Sequence, residues 1–272
     1  MRKLKSIVNV SLVLIGILIV CVVSAEKSSD QSQWLINTLK DSFLVSESDV
    51  LRFDHNIGDV RIKTADTDRI QITAIAQYHN EDPHKPIIKL ISKKAKGTIN
   101  EHRLTVNFSH LEIADNEEWS KRRIDVGIIV PEGLKLRVET QNGLIQAKQI
   151  VAATELKSHN GDIEYQGSGN IKAYSERGSM FFKLYKSPAS QQVNLSTLTG
   201  DIHIVLLEQA KVNVNLKTRG PITTDYSIKI DRKPGSPLKQ GFLQTNKTGS
   251  NIKLESHSGG IRVQMINAVE NK

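Results

Sequence analysis

The chain has 272 residues, a formal net charge of +8 and a single cysteine, Cys21. Aromatic residues make up 5% of it and no block of five like charges occurs, which argues against a nucleic-acid footprint. A lone cysteine excludes a disulfide framework and a site built on several thiolates.

The chain opens with Arg2, Lys3 and Lys5, runs apolar from Ile7 to Val23, and then offers Val23-Ser24-Ala25 as a cleavage site. That order predicts a signal peptide over 1–25. The alternatives are an uncleaved anchor helix and a lipoprotein cut before Cys21, the latter opposed by the bulk of Val20. Cleavage takes three positive charges and no negative one, so +8 becomes +5, and it takes Cys21 as well. No later apolar run is long enough to span a bilayer, so no transmembrane segment is expected after cleavage.

Residues 26–42 read as a polar tail followed by a short capping helix around Trp34 to Lys40, with Trp34, Leu35 and Leu39 covering the end of the fold. From Phe43 the pattern becomes that of strands: "FLVSESDVLRFDHNIGDVRIKT" and "RIQITAIAQY", then a Pro-broken polar break, "HNEDPHKP". "IIKLISKK", "RLTVNFSHLEI" and "RIDVGIIVPEG" continue it.

A repeat then emerges. Gly58, Gly143, Gly161, Gly178, Gly200, Gly220 and Gly259 each sit between two alternating runs. Two places after them come Val60, Ile145, Ile163, Met180, Ile202, Ile222 and Ile261. Five places before come Phe53, Val138, Leu156, Ala173, Leu195 and Leu254, with Leu216 one place out of step. Three places before come Thr140, Ser158, Ser175, Thr197 and Ser256, with His55 in the Gly58 unit and Thr218 displaced by one. The intervals from Gly143 are 18, 17, 22, 20 and 39, and residues 225–250 fill the last as a long loop or a degenerate rung.

Taken singly, "LKSHNGDIEYQG" (156–167) is a β-hairpin signal. A meander of hairpins, however, demands neither a regular interval nor a repeated hydroxyl. The expected fold is therefore all-β: a single-domain β-solenoid over 43–268, right-handed β-helix-like, with rungs of ~20 residues. Glycine is expected to supply positive φ at each corner, and the hydroxyls to stack as a ladder.

Candidate chemistry is sparse. His79, Glu81, Asp82 and His84 form the best metal-like cluster, but a polar turn explains them more simply. Asp59, Asp162 and Asp201 follow corner glycines and could form a calcium ladder, though Leu144, Ser179 and Pro221 break it; solvated turn residues are the simpler expectation. His55, His159 and His257 recur near corners and are expected at exposed slots, while His102, His110 and His203 lack partners at ligand spacing. No nucleophile elbow, P-loop or dinucleotide fingerprint occurs. No catalytic, cofactor or metal residue is therefore assigned.

The order of "GDVRIKT", "IDVGIIVPEGLKLRVETQNGLIQ", "LKSHNGDIEYQGSGNIKAYS", "LSTLTGDIHIVL" and "IKLESHSGGIRVQ" resembles the bacterial "putative adhesin" domain family, which is auto-transporter-adhesin-like. Pro131, Gly133, Gly143, Gly161, Gly200, Gly249 and Gly259 occupy that family's marked places, over roughly residues 50–266. The Gly178 and Gly220 units depart from its pattern. The resemblance implies a β-solenoid at the cell envelope, in the periplasm or at the surface, and implies no catalytic residues. The expected function is a non-catalytic binding or scaffold module whose partner is an envelope glycan or protein. Outward residues Gln146, Lys157, Glu164, Gln166, Lys172, Lys183 and Asn194 would present it, with Tyr165, Tyr174, Tyr185 and Tyr226 as flat contacts. The alternatives are a carbohydrate-active enzyme on a β-helix, and a structural or sensor partner in envelope signalling.

Overall fold

The computed structural model describes residues 34–82, 84–94, 100–108, 121–185, 191–232, 234–245 and 249–266. The expected signal peptide, Cys21, the polar tail to residue 33, and His110 lie outside the described residues.

The described residues form strands and connecting turns, with no α-helix. The first part contains β1 (Trp34–Leu44), β2 (Val50–Ile57), β3 (Val60–Ala65), β4 (Arg69–His79), β5 (Pro86–Lys94), β6 (Asn100–Phe108) and β7 (Arg122–Pro131). The repeat region contains β8 (Lys135–Asn142), β9 (Ile145–Ile150), β10 (Thr154–Asn160), β11 (Ile163–Gly167), β12 (Ile171–Arg177), β13 (Met180–Leu184), β14 (Gln192–Thr199) and β15 (Ile202–Leu207). The last part contains β16 (Val212–Thr218), β17 (Ile222–Thr224), β18 (Lys229–Arg232), β19 (Lys239–Gln244), β20 (Ser250–Ser256) and β21 (Ile261–Ile266).

Two mixed sheets result. One has 10 strands, in the order β1-β4-β7-β3-β9-β11-β13-β15-β21-β17; the other has 11, in the order β18-β19-β16-β20-β14-β12-β10-β8-β2-β6-β5. From β8 to β15 the chain alternates between the sheets at every turn, and each strand pairs in parallel with the equivalent strand of the next unit. Asn160-Gly161 is therefore not a hairpin turn. β10 and β11, which flank it, lie in different sheets.

Strand periodicity of two sends alternate residues inward. Because every unit keeps the same register, equivalent residues stack. Phe53, Val138, Leu156, Ala173, Leu195, Leu254 and Leu216 form one inward row. Val60, Ile145, Ile163, Met180, Ile202 and Ile261 form the facing row. All of these are buried, and burying each large aliphatic side chain contributes about 1.5–3 kcal/mol.

Two expected elements take another form. Residues 34–44 are an edge strand antiparallel to β4, not a capping helix. β4 presents a free edge whose backbone groups need partners, and an extended segment supplies them all along its length. Leu39 packs against the core, whereas Trp34 and Leu35 are exposed. The described residues between Asp225 and Thr245 are neither a plain loop nor part of the parallel stack. They carry β18 and β19, an antiparallel pair that covers the edge of β16.

Candidate functional site

The seven corner glycines form a column. A Cβ on Gly143 would fall on the carbonyl of Gly58, one on Gly161 on that of Gly143, and one on Gly178 on that of Gly161. The same holds for Gly200 on Gly178, Gly259 on Gly200, and Gly220 on Gly259. Only Gly58, Gly143, Gly161 and Gly200 hold positive φ. Positive φ at every corner is thus not what the column has in common; close approach of one rung to the next is.

The buried hydroxyls serve that column. Ser175 Oγ donates to the Gly161 carbonyl at 3.2 Å, Thr197 Oγ1 to Gly178 at 3.1 Å, and Ser256 Oγ to Gly200 at 2.8 Å. A hydroxyl-to-hydroxyl contact occurs between Thr140 and Ser158, at 3.5 Å. Ser175, Thr197 and Ser256 thus each supply a donor to a corner-glycine carbonyl of the neighbouring unit, and only Thr140 and Ser158 show the hydroxyl-to-hydroxyl contact among the described bonds. His55 occupies the same slot in its unit, where Nε2 donates to the Ile124 carbonyl at 2.8 Å. It is buried, not at an exposed corner, and burial pushes its pKa down to about 4.

The aspartates after the glycines staple rungs together. Asp59 accepts from the Leu144 amide at 3.2 Å, Asp162 from Ser179 at 2.7 Å and Asp201 from Gly260 at 2.6 Å. Asp82 does not join His79 and His84 in a metal cluster. Its carboxylate takes a bidentate grip from the buried Arg122 guanidinium. Burial raises the Asp82 pKa, but the Arg122 and His84 hydrogen bonds outweigh that and leave it below the ordinary value. No group of three metal-ligating side chains occurs among the described residues.

The outward residues fall on two separate faces. Gln146, Glu164, Gln166 and Lys183 lie on the 10-stranded sheet. Lys157, Lys172 and Asn194 lie on the other sheet, in two ordered rows. One row runs Arg52, Arg137, Glu155, Lys172, Asn194, Lys253; the other runs Asp54, Glu139, Lys157, Tyr174, Ser196, Glu255. Ion pairs on this face include Lys157–Glu139 at 2.8 Å, Lys172–Glu155 at 3.1 Å and Lys217–Glu255 at 2.7 Å. Pairs this exposed add at most ~1 kcal/mol each, so they order the surface more than they stabilise the fold.

On β14 both rows carry short side chains, Asn194 and Ser196, between longer ones on β12 and β20. A trough of about 540 Å³ opens there, with Tyr174, Lys157, Lys172, Lys253, Glu155 and Glu255 around it. Hydrogen bonds from Lys157 and His159 more than offset burial at Glu139 and hold its carboxyl below the ordinary range; Lys217 does the same for Glu255. Of the four tyrosines, Tyr174 alone lines the trough. Tyr165 is core, stacked on Phe182 at 5.4 Å. Tyr185 bonds Gln166 and Tyr226 is half-buried. Glu155, Ser196, Lys253 and Glu255 escaped sequence reasoning, although the positions four and six before each corner glycine except Gly220 mark both rows.

No family model and no curated protein matches this chain. Among solved structures it is similar to a "putative cell adhesion protein" from Clostridium sporogenes ATCC 15579, at 14% identity and a TM-score of 0.46, over 85% of this chain and 100% of that one. It is also similar to a "putative adhesin" from Bacteroides fragilis NCTC 9343 (9% identity, TM-score 0.27, 85% and 97% covered) and to one from Parabacteroides distasonis ATCC 8503 (9%, 0.22, 85% and 97%). At these scores the likeness assigns no function.

Proposed function

We propose that the chain is an exported, envelope-associated β-solenoid that binds a glycan strand in the trough on the outer face of its 11-stranded sheet and turns nothing over there. The parallel stacking of equivalent rungs and the N-terminal sequence pattern support the solenoid and the export. The trough carries the binding reading: Asn194 and Ser196 offer hydrogen bonds at its floor, and Tyr174 offers a flat apolar face beside them. Lysines and glutamates at its rim suit a hydroxyl-rich ligand with some negative charge, held with salt sensitivity.

Sugar cleavage needs a general acid with a raised pKa. Glu139 and Glu255 are instead lowered, and Glu155 is engaged by Lys172. Residues 26–272 are expected to be retained on peptidoglycan or acidic polysaccharide at low salt and released at high salt, and Tyr174→Ala is expected to abolish retention. Absence of retention on either material would reject glycan binding; release of reducing ends in the same assay would reject the absence of turnover.

A further inference from the structure

Asp49, Ser92 and His102 are distant in sequence, and no linear motif joins them. β5 is the outermost strand of its sheet and lies antiparallel to β6, with Ser92 directly opposite His102. Ser92 is exposed, and its Oγ lies 2.8 Å from His102 Nδ1. His102 is 6% exposed, and its Nε2 lies 2.9 Å from Asp49 Oδ2. Asp49 is 2% exposed and is held from two further sides, by the Ser46 amide on Oδ2 and the Asn100 amide on Oδ1, both at 3.0 Å.

This arrangement fixes the tautomer. Burial raises the Asp49 pKa, but hydrogen bonds from His102, Ser46 and Asn100 outweigh it and keep the carboxylate ionised at neutral pH. An ionised carboxylate only accepts, so the neutral imidazole carries its proton on Nε2. Nδ1 is then a lone pair facing the Ser92 hydroxyl. An exposed hydroxyl, a base within hydrogen-bond reach, and a buried acid orienting that base are the three parts of an activated nucleophile. The ring is used in the reverse sense to the common triad, with Nδ1 toward the serine; either imidazole nitrogen can accept the proton.

We propose that Ser92 is a nucleophile that accepts acyl groups from activated esters or thioesters, with His102 as its base and Asp49 as the positioning residue. Ser92 Oγ attacks the acyl carbon while its proton passes to His102 Nδ1. The tetrahedral adduct then expels the alcohol or thiol, which leaves with that proton, and Ser92 is left as an ester. No electrons change hands. Among the described residues β5 is the outermost strand of its sheet, and Ser92 on it is exposed.

The test is to incubate the full chain with p-nitrophenyl acetate and, separately, with a fluorophosphonate, and to map adducts by peptide mass spectrometry. Ser42 and Ser236 are exposed serines whose hydroxyls contact no histidine among the bonds described, and they serve as internal controls. General-base assistance is typically worth ~100-fold or more, so Ser92 is expected to react about that much faster than either control. The advantage is expected to vanish in urea and in His102→Gln. Ser92→Ala, at an exposed site, is expected to remove the adduct while leaving melting temperature and glycan retention unchanged. Modification of Ser92 no faster than of Ser42 and Ser236 in the native chain would overturn the proposal, whatever the variants do.

Discussion

Leu254 pairs with Leu195 on one side and with Leu216 on the other, although Leu216 comes earlier in the chain. The last rung, β20 with β21, is thus inserted between β14–β15 and β16–β17, and those two earlier rungs pair through it. The 39-residue interval between Gly220 and Gly259 reflects this return: the chain goes outward, forms the β18–β19 cover, and comes back into the stack.

Removal of residues 249–272 is therefore expected to do more than shorten the protein. It leaves β14 and β16 with facing edges unpaired, and exposed edges recruit other chains. A truncated chain is expected to lose its single cooperative thermal transition and to aggregate, as read by light scattering during the melt. A monomeric truncation melting within a few degrees of the full chain would count against the insertion.

Gly161→Val places a branched side chain on the Gly143 carbonyl at a φ of 152°. It is expected to cost well over the roughly 1 kcal/mol of an average substitution. Gly235→Ala is the control: φ is 75°, but nothing lies within 4 Å of the added carbon, so only the left-handed backbone strain of about 1–2 kcal/mol applies. Urea denaturation of the two variants measures the difference, and equal midpoints would refute close approach as the reason for the column.

His55 makes stability acid-sensitive. Its folded pKa of about 4 lies below the unfolded value, so as pH falls from ~6.5 the unfolded chain takes up a proton that the folded chain refuses. This stability is fully present above ~6.5 and falls by about 1.4 kcal/mol per pH unit toward the folded pKa. His55→Thr, the residue that other rungs use, is expected to lower stability at pH 7.5, since the ring stacked on Phe53 at 5.6 Å is lost. The same change is expected to flatten the pH profile across that window. Parallel profiles for the two proteins would show that His55 does not titrate as described.

Asp82 acts in a lower window. Its folded pKa is depressed, so its contribution is present above the unfolded value of ~3.9 and is lost as pH falls through the folded one. Asp82→Asn removes the carboxylate that grips the buried Arg122 guanidinium bidentately and is expected to cost up to about 3–5 kcal/mol at pH 7. Chemical denaturation at pH 7 measures it; a cost under ~0.5 kcal/mol would match a solvated surface pair instead.

The repeat was legible because each unit solves the same local problem. A glycine, a hydroxyl three places earlier and apolar residues at −5 and +2 recur wherever one rung rests on the next. Rung order was not legible for the same reason: Leu216, Leu195 and Leu254 offer interchangeable faces, and nothing local says which sits in the middle. "WLINTLKDSFL" carries no clean alternation, because β1 is solvated on most of both faces, and its strand character comes chiefly from pairing with β4. The Asp49–His102–Ser92 contact depends on which strand lies beside which, and no spacing within the sequence encodes it.

Binding in the trough is tested most directly by amide chemical shifts of the labelled protein during titration with soluble peptidoglycan fragments. The expected result is saturable shifts concentrated at Tyr174, Asn194, Ser196 and Lys253, diminished in Tyr174→Ala. Shifts confined to Gln146, Glu164 and Lys183 on the opposite sheet, or no shifts at fragment concentrations in the millimolar range, would contradict it.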